Sequence, residues 1–250
     1  MQRRNSAEVI APLRLDTGGR AGSIAEQVFR TLRSAIVTMQ LTPATALSEQ
    51  DIAGRLKVSR QPVREAFIKL SEIGLVRVLP QRGTFVVKIS AKAVTDARFV
   101  REAVECAIAR RASEGIDAAA MEDLREILAQ QRKAARNPEE FFVLDEAFHR
   151  GLAHAAECAY AWKVIEEAKA QMDRVRFLSL PDATPIGHLI KQHEAILDQI
   201  AAGRGSAAEQ AMRDHLREIL KSLPRLARAF PDMFEGEESR QQAKSGKAAR

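Results

Sequence analysis

Three histidines and one aspartate lie in or beside the apolar helix faces of the C-terminal half of the chain. Asp145 and His149 are four residues apart in one helical pattern, so their side chains point to the same side. His193 and His215 each lie within the apolar face of a later helix. A lone buried histidine is most simply a hydrogen-bonded core residue. Four such groups together instead predict a site for a divalent transition metal, zinc first, with nickel or manganese as alternatives.

An inward arginine, Arg101, lies on the first helix of the same region. The apolar residues that bracket it are Val94, Ala97, Val104 and Ile108. It is the only arginine that the apolar stripes place inward at mid-helix, and a buried guanidinium group requires a carboxylate. That carboxylate is either Glu105, four residues along the same helix, or a bound organic acid. The spacing favours neither of the two.

A separate set of polar residues begins a short helix near residue 60, in the stretch VSRQPVREAFIKL. Arg60, Gln61 and Arg64 lie near its N-terminal end, off a buried stripe formed by Val63, Ala66, Phe67, Leu70 and Ile73. An arginine fork matches O6 and N7 of guanine, and a glutamine can pair with adenine. Ser59 is expected to cap the helix and to contact a phosphate. The alternative is an ordinary solvent-facing surface, with Arg64 paired to Glu65 or a neighbouring acid.

The elements around this helix predict a winged helix-turn-helix. Ser23 and Ser48 are good N-caps for two preceding helices, and Gly74 is expected to end the third. LTPATAL is expected to be a loop. The run LVRVLPQRGTFVV predicts a β-hairpin whose tip carries Arg82 and Gly83, where the backbone could approach DNA. Three helices followed by a hairpin are typical of DNA-binding winged domains.

Positive charge is concentrated in this part of the chain. The net charge is +6, with +7 in residues 1–89 and −1 in residues 90–250. A basic N-terminal part favours a polyanionic partner, although a solvated basic surface would show the same balance. No apolar run is long enough for a membrane span, and the N-terminus lacks a signal-peptide pattern. Two cysteines without CxxC spacing favour the reducing cytoplasm.

The C-terminal half is predicted to form an antiparallel α-helical bundle. Six helices are expected, at 90–114, 117–136, 138–156, 159–179, 184–202 and 206–229. His154 and His188 fall off the apolar stripes and are expected at the surface. The chain should therefore be mainly α-helical. It is expected to consist of a flexible arm (1–22), a winged domain (23–88), an effector-binding and dimerisation bundle (89–230) and a disordered tail (231–250).

The stretch LSEQDIAGRLKVSRQPVREAFIKLSEIGLVRVLPQRGTFV resembles the DNA-binding domain of the GntR family of transcription regulators. The resemblance covers about residues 24–87, with Phe67 in place of the usual leucine. It implies seven DNA-contacting residues, which are Gln50, Ser59, Arg60, Gln61, Arg64, Arg82 and Gly83.

Residues 92–228 resemble the FCD ligand-binding domain found in the FadR branch of the same family. The motifs that carry the resemblance are REAVE, LDEAFHRGLAHAA, KQHEAILDQI and AMRDHL. They imply a carboxylate effector held by Arg101 and by a metal whose ligands are Asp145, His149, His193 and His215. Six helices fit the shorter, VanR-like group better than the seven-helix type. Cys158 stands where the family commonly has asparagine, which weakens any inference about the effector's polar contacts.

Together these features predict a cytoplasmic, homodimeric DNA-binding transcription regulator, most simply a repressor, and not an enzyme. Its partners would be an inverted-repeat operator in double-stranded DNA and a small carboxylate effector, with no membrane. Two alternatives stay open. In one, the metal itself is the signal; in the other, which is less favoured, a metalloenzyme is fused to a DNA-binding module.

Overall fold

The computed structural model describes residues 10, 13–16, 22–180 and 183–236. The chain divides into two compact units. The first contains residues 1–91 together with 230–250, and the second contains residues 92–229. The chain therefore passes from one unit to the other twice.

The first unit is a winged helix-turn-helix, as predicted. Its elements are α1 (Ile24–Val37), β1 (Ala46–Leu47), α2 (Glu49–Leu56), α3 (Arg60–Glu72), β2 (Val76–Leu79) and β3 (Gly83–Val86). Helix α3 packs against both α1 and α2. Their facing apolar stripes form a core that includes Val28, Leu32, Ile36, Ile52, Val63 and Leu70.

The wing contains one strand more than the sequence predicted. β2 and β3 form the predicted antiparallel hairpin, and β1 pairs with the opposite edge of β3. The prediction that LTPATAL is entirely a loop is wrong for its last two residues. Here the Ala44 N–H donates to the Val86 carbonyl (2.9 Å) and the Val86 N–H donates to the Thr45 carbonyl (3.0 Å). This pairing satisfies backbone groups that an exposed strand edge would leave open.

The helix ends of this unit mostly follow the predicted capping. The hydroxyl groups of Ser23 and Ser48 accept hydrogen bonds from backbone N–H groups three residues on. Gly74 has φ of 70° and ends α3, and the Leu75 N–H donates to the Leu70 carbonyl at 2.8 Å. This is the pattern of a left-handed C-terminal cap. Ser59 occupies the N-cap position of α3, but its side chain makes no capping hydrogen bond, contrary to the prediction.

The N-terminal arm, predicted to be flexible, is packed at the residues that the structure describes. Ile10 and Leu13 are buried. The Asp16 N–H donates to Thr31 Oγ1 at 2.9 Å, and the Asp16 carboxylate pairs with Arg30 at 3.1 Å. Asp16 thus anchors these residues to α1, and two apolar side chains beside it are removed from solvent. The rest of the expected arm lies outside the described residues, except for its last residue.

The expected disordered tail is likewise ordered where it is described. Residues 231–235 form a C-terminal clasp, which contains a 3-10 helix over Pro231–Met233. The Ile89 N–H donates to the Met233 carbonyl (2.8 Å), and the Glu235 N–H donates to the Ile89 carbonyl (3.0 Å). Phe234 is buried, with 5% of its surface exposed. Because the segment is mostly polar, its composition predicted disorder and gave no indication that Phe234 would be buried. Residues 237–250 lie outside the described part.

The second unit is the predicted helical bundle. Its helices are α4 (Ala91–Ala112), α5 (Ala118–Lys133), α6 (Pro138–Ala155), α7 (Ala159–Ala168), α8 (Ala170–Ser179), α9 (Ile186–Ala201) and α10 (Gly205–Ala229). Short connections make α5 with α6, and α9 with α10, antiparallel neighbours. The main apolar core includes Ile108, Phe148, Leu152, Ile196 and Met212. Among the helices of the described residues, none combines the length and apolar content needed to span a membrane.

The fourth predicted helix, 159–179, is divided in two at Lys169. The backbone there has φ of −85° and ψ of −4°. The Lys169 ammonium group is buried and donates to Glu146 (2.5 Å) and Asp173 (2.7 Å). No glycine or proline marks the interruption, so the sequence pattern predicted one continuous helix. The described part of the bundle therefore has seven helices instead of the predicted six. The assignment to the VanR-like group depended on six helices, so the helix count does not support it.

The clasp generates a stability prediction. Replacing Phe234 with alanine should destabilise the first unit by about 3 kcal/mol, because a nearly buried aromatic ring leaves a cavity. Hydrogen exchange followed by mass spectrometry should show faster exchange in a peptide that contains Ile89, whose amide is bonded to the clasp.

Phe230→Ala is the matched control. Phe230 is 39% exposed, so its truncation should cost less than about 1 kcal/mol. Equal acceleration of exchange in both variants would contradict an anchoring role for Phe234.

Candidate nucleic-acid interface and metal centre

The residues predicted to contact DNA lie at the surface of the first unit. All seven are exposed, which holds for Gln50, Ser59, Arg60, Gln61, Arg64, Arg82 and Gly83. Four of them lie at the start of α3, on the side opposite its buried stripe. That stripe is as predicted for four positions, while Ile73 is only half-buried. An exposed N-terminal end with two guanidinium groups can enter a major groove.

Glu49, the first residue of α2, holds both arginines. The Arg64 Nε–H donates to Glu49 Oε1 (3.0 Å) and Arg64 Nη2 donates to Glu49 Oε2 (2.9 Å). Arg60 Nη2 donates to the same Oε2 at 3.2 Å. The alternative interpretation paired Arg64 with Glu65 or a neighbouring acid. Glu49 is the acid that pairs with Arg64, while Glu65 accepts from Gln61 Nε2 at 3.0 Å. The hydrogen bond from Arg64, followed by that from Arg60, lowers the pKa of the Glu49 carboxyl group.

The tip of the wing is a tight turn. The Arg82 N–H donates to the Leu79 carbonyl at 3.0 Å. Gln81 and Gly83 have positive φ angles of 60° and 99°. A Cβ at residue 83 would meet only the Phe85 ring, at 4.0 Å. Backbone conformation, and not lack of space, therefore requires glycine at this position.

The four predicted metal ligands converge in the interior of the bundle. Asp145 and His149 come from α6, His193 from α9 and His215 from α10, and all four are buried. One ligand atom from each lies within 4.8 Å of all the others. His215 Nε2 is 3.1 Å from His149 Nε2 and 3.3 Å from His193 Nε2. Asp145 Oδ1 is 3.6 Å from His193 Nε2.

Each histidine has an oxygen partner on its other ring nitrogen. The Nδ1 partners are Glu105 Oε2 for His149 (2.5 Å), Gln131 Oε1 for His193 (2.8 Å) and Gln192 Oε1 for His215 (3.1 Å). The amide orientations agree with this, because Gln131 Nε2 donates to the Leu144 carbonyl (3.1 Å) and Gln192 Nε2 donates to Glu218 (3.4 Å). The oxygens of Gln131 and Gln192 therefore accept from the Nδ1–H groups of His193 and His215. The Phe148 ring, stacked 4.4 Å from His193, also orients that imidazole.

This arrangement fits a bound cation. Because Nδ1–H of His193 and of His215 donates to a glutamine oxygen, Nε2 of each of these imidazoles presents a lone pair. Nε2 of His215 lies 3.1 Å from Nε2 of His149 and 3.3 Å from Nε2 of His193. Burial lowers the pKa of His193 and His215 well below 6.5, with neighbouring positive charge adding to the effect, so additional protons would not relieve the repulsion between these lone pairs. Tetrahedral Zn–N bonds of about 2.0–2.1 Å place ligand nitrogens about 3.3 Å apart. Oxygen partners behind metal-binding histidines are common in metal sites.

Arg101 is buried, as predicted, and forms the intrahelical pair. Its Nε–H donates to Glu105 Oε1 at 2.5 Å. Glu105 thus contacts Arg101 with one oxygen and His149 with the other. Burial raises the pKa of the Glu105 carboxyl group, but the positive charge of Arg101 and the contact with His149 outweigh it and place the pKa below its ordinary value.

A cavity adjoins both Arg101 and the four-ligand cluster. About 40 Å³ of it is accessible to water-sized molecules. Polar side chains on its wall belong to Arg101, Asp145, Arg176, Ser179, Thr184, His215 and Glu218, and the apolar side chains are Phe141, Phe142, Met172, Leu180, Leu189, Leu216 and Ile219. A small anion entering this space would face the guanidinium groups of Arg101 and Arg176 and two of the predicted metal ligands, Asp145 and His215.

Arg176 is a site residue that the sequence pattern did not reveal. It lies on α8, pairs with Asp145 Oδ2, and its Nη1 donates to Asp173 Oδ1 at 3.1 Å. Arg174 of the same helix is fully buried. The apolar stripes singled out Arg101 as the one arginine placed inward at mid-helix, so they did not reveal Arg174. Most residues of α8 are buried, polar and apolar alike. Its sequence therefore shows no apolar stripe from which the inward position of an arginine could be predicted.

The remaining sequence predictions for the bundle concern Cys158 and two histidines. His154 and His188 are exposed, as predicted. Cys158 lies at the start of α7, where its thiol donates to the Ala156 carbonyl at 3.4 Å and packs against the main core. It is not part of the cavity wall, so the change from asparagine does not alter the polar lining of the cavity in this structure.

Comparisons with known proteins agree with both units. Residues 24–86 match the family described as bacterial regulatory proteins, gntR family, and residues 96–218 match the FCD domain. The HTH-type transcriptional repressor RspR of Escherichia coli K12 is 43% identical over 216 residues, covering 86% of this chain and 95% of that protein. The HTH-type transcriptional regulator LutR of Bacillus subtilis is 26% identical over 203 residues, covering 72% and 92%.

Solved structures give the same picture of the fold. A transcriptional regulator GntR from Rhodococcus sp. RHA1 superposes with a TM-score of 0.65 at 29% identity, covering 80% of this chain and 98% of that one. E. coli McbR/YncC superposes with a TM-score of 0.71 at 18% identity, covering 80% and 96%. The chain belongs to the GntR family of bacterial transcriptional regulators and is a DNA-binding regulator with an FCD domain, not an enzyme.

Proposed function

We propose that this regulator is a cytoplasmic, homodimeric repressor that a small carboxylate releases from an inverted-repeat operator, and that the carboxylate binds at a metal in the bundle. The observation that carries the proposal is the convergence of three Nε2 atoms and one carboxylate beside a cavity lined by Arg101 and Arg176. A relative named as a repressor supports the direction of regulation.

Operator binding would use the exposed end of α3 and the wing. Arg60, Gln61 and Arg64 would meet base edges in the major groove, while Ser59 and the wing tip would contact the backbone. The adjacent residue Gln50 would add a contact from α2. Two copies related by twofold symmetry would read two half-sites, which is why we propose an inverted repeat.

The metal would be held by Asp145, His149, His193 and His215. Imidazole and carboxylate ligands suit zinc, nickel and manganese, and we propose zinc because the nitrogen separations match its tetrahedral sites. The metal would supply a positive centre with affinity for an anionic oxygen. Arg101 and Arg176 would fix the orientation of the bound carboxylate, since an arginine fork accepts two oxygens in one plane.

A metal-sensing role is the second candidate, and the contact between Arg176 and Asp145 favours it. A cation would compete with Arg176 for that carboxylate, so metal binding alone could shift α8. Titrating operator binding with zinc in the absence of organic acid separates the two candidates.

The first test concerns DNA. Arg64→Ala should weaken binding to a duplex selected by the wild-type protein by about 1–3 kcal/mol, because one base or phosphate contact is lost. The fold should survive, since the side chain is 55% exposed. Fluorescence anisotropy at fixed salt measures the change. Arg125→Ala, at an exposed position of the second unit, should bind like wild type, and identical affinities for all three proteins would refute this docking.

The second test concerns the metal. His193→Ala should abolish metal binding and lower the stability of the second unit, because Asp145 would remain buried without the metal's charge. Elemental analysis of protein purified without a tag gives the metal content, and a melting curve gives the stability. His188→Ala removes an exposed histidine of the same helix and should change neither. Full metal content in both His193→Ala and His215→Ala proteins would exclude the site.

The third test concerns the carboxylate. Arg101→Ala would leave the buried Glu105 without its main counter-charge and cost about 3–5 kcal/mol, so Arg101→Lys is the sharper variant. It keeps a positive charge beside Glu105 but lacks the planar fork. Metal content and DNA affinity should be retained, while the concentration of an active acid needed to release DNA should rise at least about tenfold.

Active acids would first be identified by a thermal-shift screen on metal-loaded protein. DNA release is then titrated for wild type and Arg101→Lys side by side. Release at the wild-type acid concentration by Arg101→Lys would assign Arg101 a structural role only, as the partner of Glu105.

A further inference from the structure

Glu49 is an acidic side chain at the centre of a surface that would face DNA phosphates. Its side chain is 23% exposed, and those of Arg60 and Arg64 are 62% and 55% exposed. A carboxylate in this position lowers the general attraction to DNA. Its presence therefore calls for a role other than electrostatic affinity.

The contacts with Arg64 have a specific geometry. Glu49 accepts from Nε and from one hydrogen of Nη2, the side edge of the guanidinium group. Of the five N–H donors of arginine, the two on Nη1 and the second on Nη2 stay available. These form the end-on edge of the fork, which can pair with O6 and N7 of guanine. Side-on pairing with Glu49 thus leaves the base-reading edge of Arg64 unoccupied.

Arg60 is tied to the same carboxylate by a single hydrogen bond, from Nη2 to Oε2 at 3.2 Å. One acid on α2 therefore sets the relative position of two guanidinium groups that are one turn apart on α3. Without it, both long side chains would sample many rotamers and repel each other. Holding them in one arrangement reduces the entropy lost when they meet the bases.

We propose that Glu49 is a specificity-determining positioning residue, which holds Arg64 side-on, together with Arg60, so that their free edges discriminate base sequence. The proposal rests on the proposed use of α3 in operator binding. According to the proposal, Glu49 has opposite effects on sequence-independent affinity and on sequence preference. Glu49 lowers the affinity for any duplex and raises the preference for the operator.

Glu49→Gln tests the proposal against Glu65→Gln as a matched control. Both variants remove one negative charge from the same surface. In Glu65→Gln the new amide would still offer one oxygen to Gln61, which needs only one. In Glu49→Gln the new amide would lose the two-oxygen pairing with Arg64. The probes are a duplex of about 30 base pairs, which spans two half-sites one helical turn apart, selected by the wild-type protein from a randomised pool, and a scrambled duplex of equal length and composition.

The preference ratio is the affinity for the selected duplex divided by that for the scrambled one at the same salt. Glu49→Gln should bind the scrambled duplex more tightly than wild type, yet its preference ratio should fall about fivefold or more. Glu65→Gln should leave the ratio unchanged. Melting curves of the full-length variants should match wild type, because the Glu49 pairs are at the surface.

The same change made in the Arg64→Ala background distinguishes positioning from direct contact. Arg64 makes two of the three hydrogen bonds to Glu49, so in this background Glu49→Gln should have a clearly smaller effect on the ratio, through Arg60 alone. A fall as large as in the wild-type background would make Glu49 a base contact in its own right and overturn the positioning role. Equal ratios for Glu49→Gln, Glu65→Gln and wild type would overturn it as well. Either result is distinct from failure of the docking, which would appear as wild-type binding by Arg64→Ala alone.

Discussion

The interior of the bundle depends on one buried carboxylate, that of Glu105. Its two oxygens contact Arg101 on the same helix and His149 on α6. Removing charges from water is costly unless each meets a partner of opposite sign with good geometry. Glu105 therefore serves as counter-charge to Arg101 and orients the imidazole of His149. The guanidinium group that would bind an acid and the first histidine of the four-residue cluster are fixed by the same residue.

In both units a glutamate holds arginine side chains in place, at the surface of the first unit and in the interior of the second. In the first unit, Glu49 holds two exposed guanidinium groups at the surface that would meet DNA. In the second unit, Glu105 holds one buried guanidinium group beside the predicted metal ligands. Solvent screens the first set of pairs, so its value lies in orientation and not in stability. The second set is shielded from water, and loss of one partner would destabilise the fold. In both units, a glutamate that would not itself contact the DNA or the acid orients an arginine that would. The glutamate thereby determines which edge of the guanidinium group is free to bind.

The sequence pattern predicted polar residues that lie in or beside an apolar helix face, and it missed polar residues that lie outside such a face. Helical periodicity was enough to place Asp145, His149, His193 and His215 inward, and to leave the N-terminal end of α3 exposed. Glu49 and Gln131 carry no such signal, because a polar residue that reaches a neighbouring helix looks the same in a sequence as one that reaches solvent. Arg176 was missed for a related reason: α8 is surrounded on most sides, and its polar residues are matched by partners instead of water.

The connectivity of the chain relates the candidate site to the first unit. α4 carries Arg101 and Glu105, and α10 carries His215; these are the two helices whose ends lead into the first unit, at Ala91 and Ala229. Glu102 of α4 also pairs with Arg213 (2.9 Å) and Arg217 (2.7 Å) of α10. Beyond those ends, Ile89 and the C-terminal clasp are hydrogen-bonded to each other. A ligand shifts an equilibrium between two arrangements only by its difference in affinity for them. Under the proposed function, an acid that touched both Arg101 of α4 and His215 of α10 would meet that requirement, because its affinity would depend on the spacing of these two helices within the second unit.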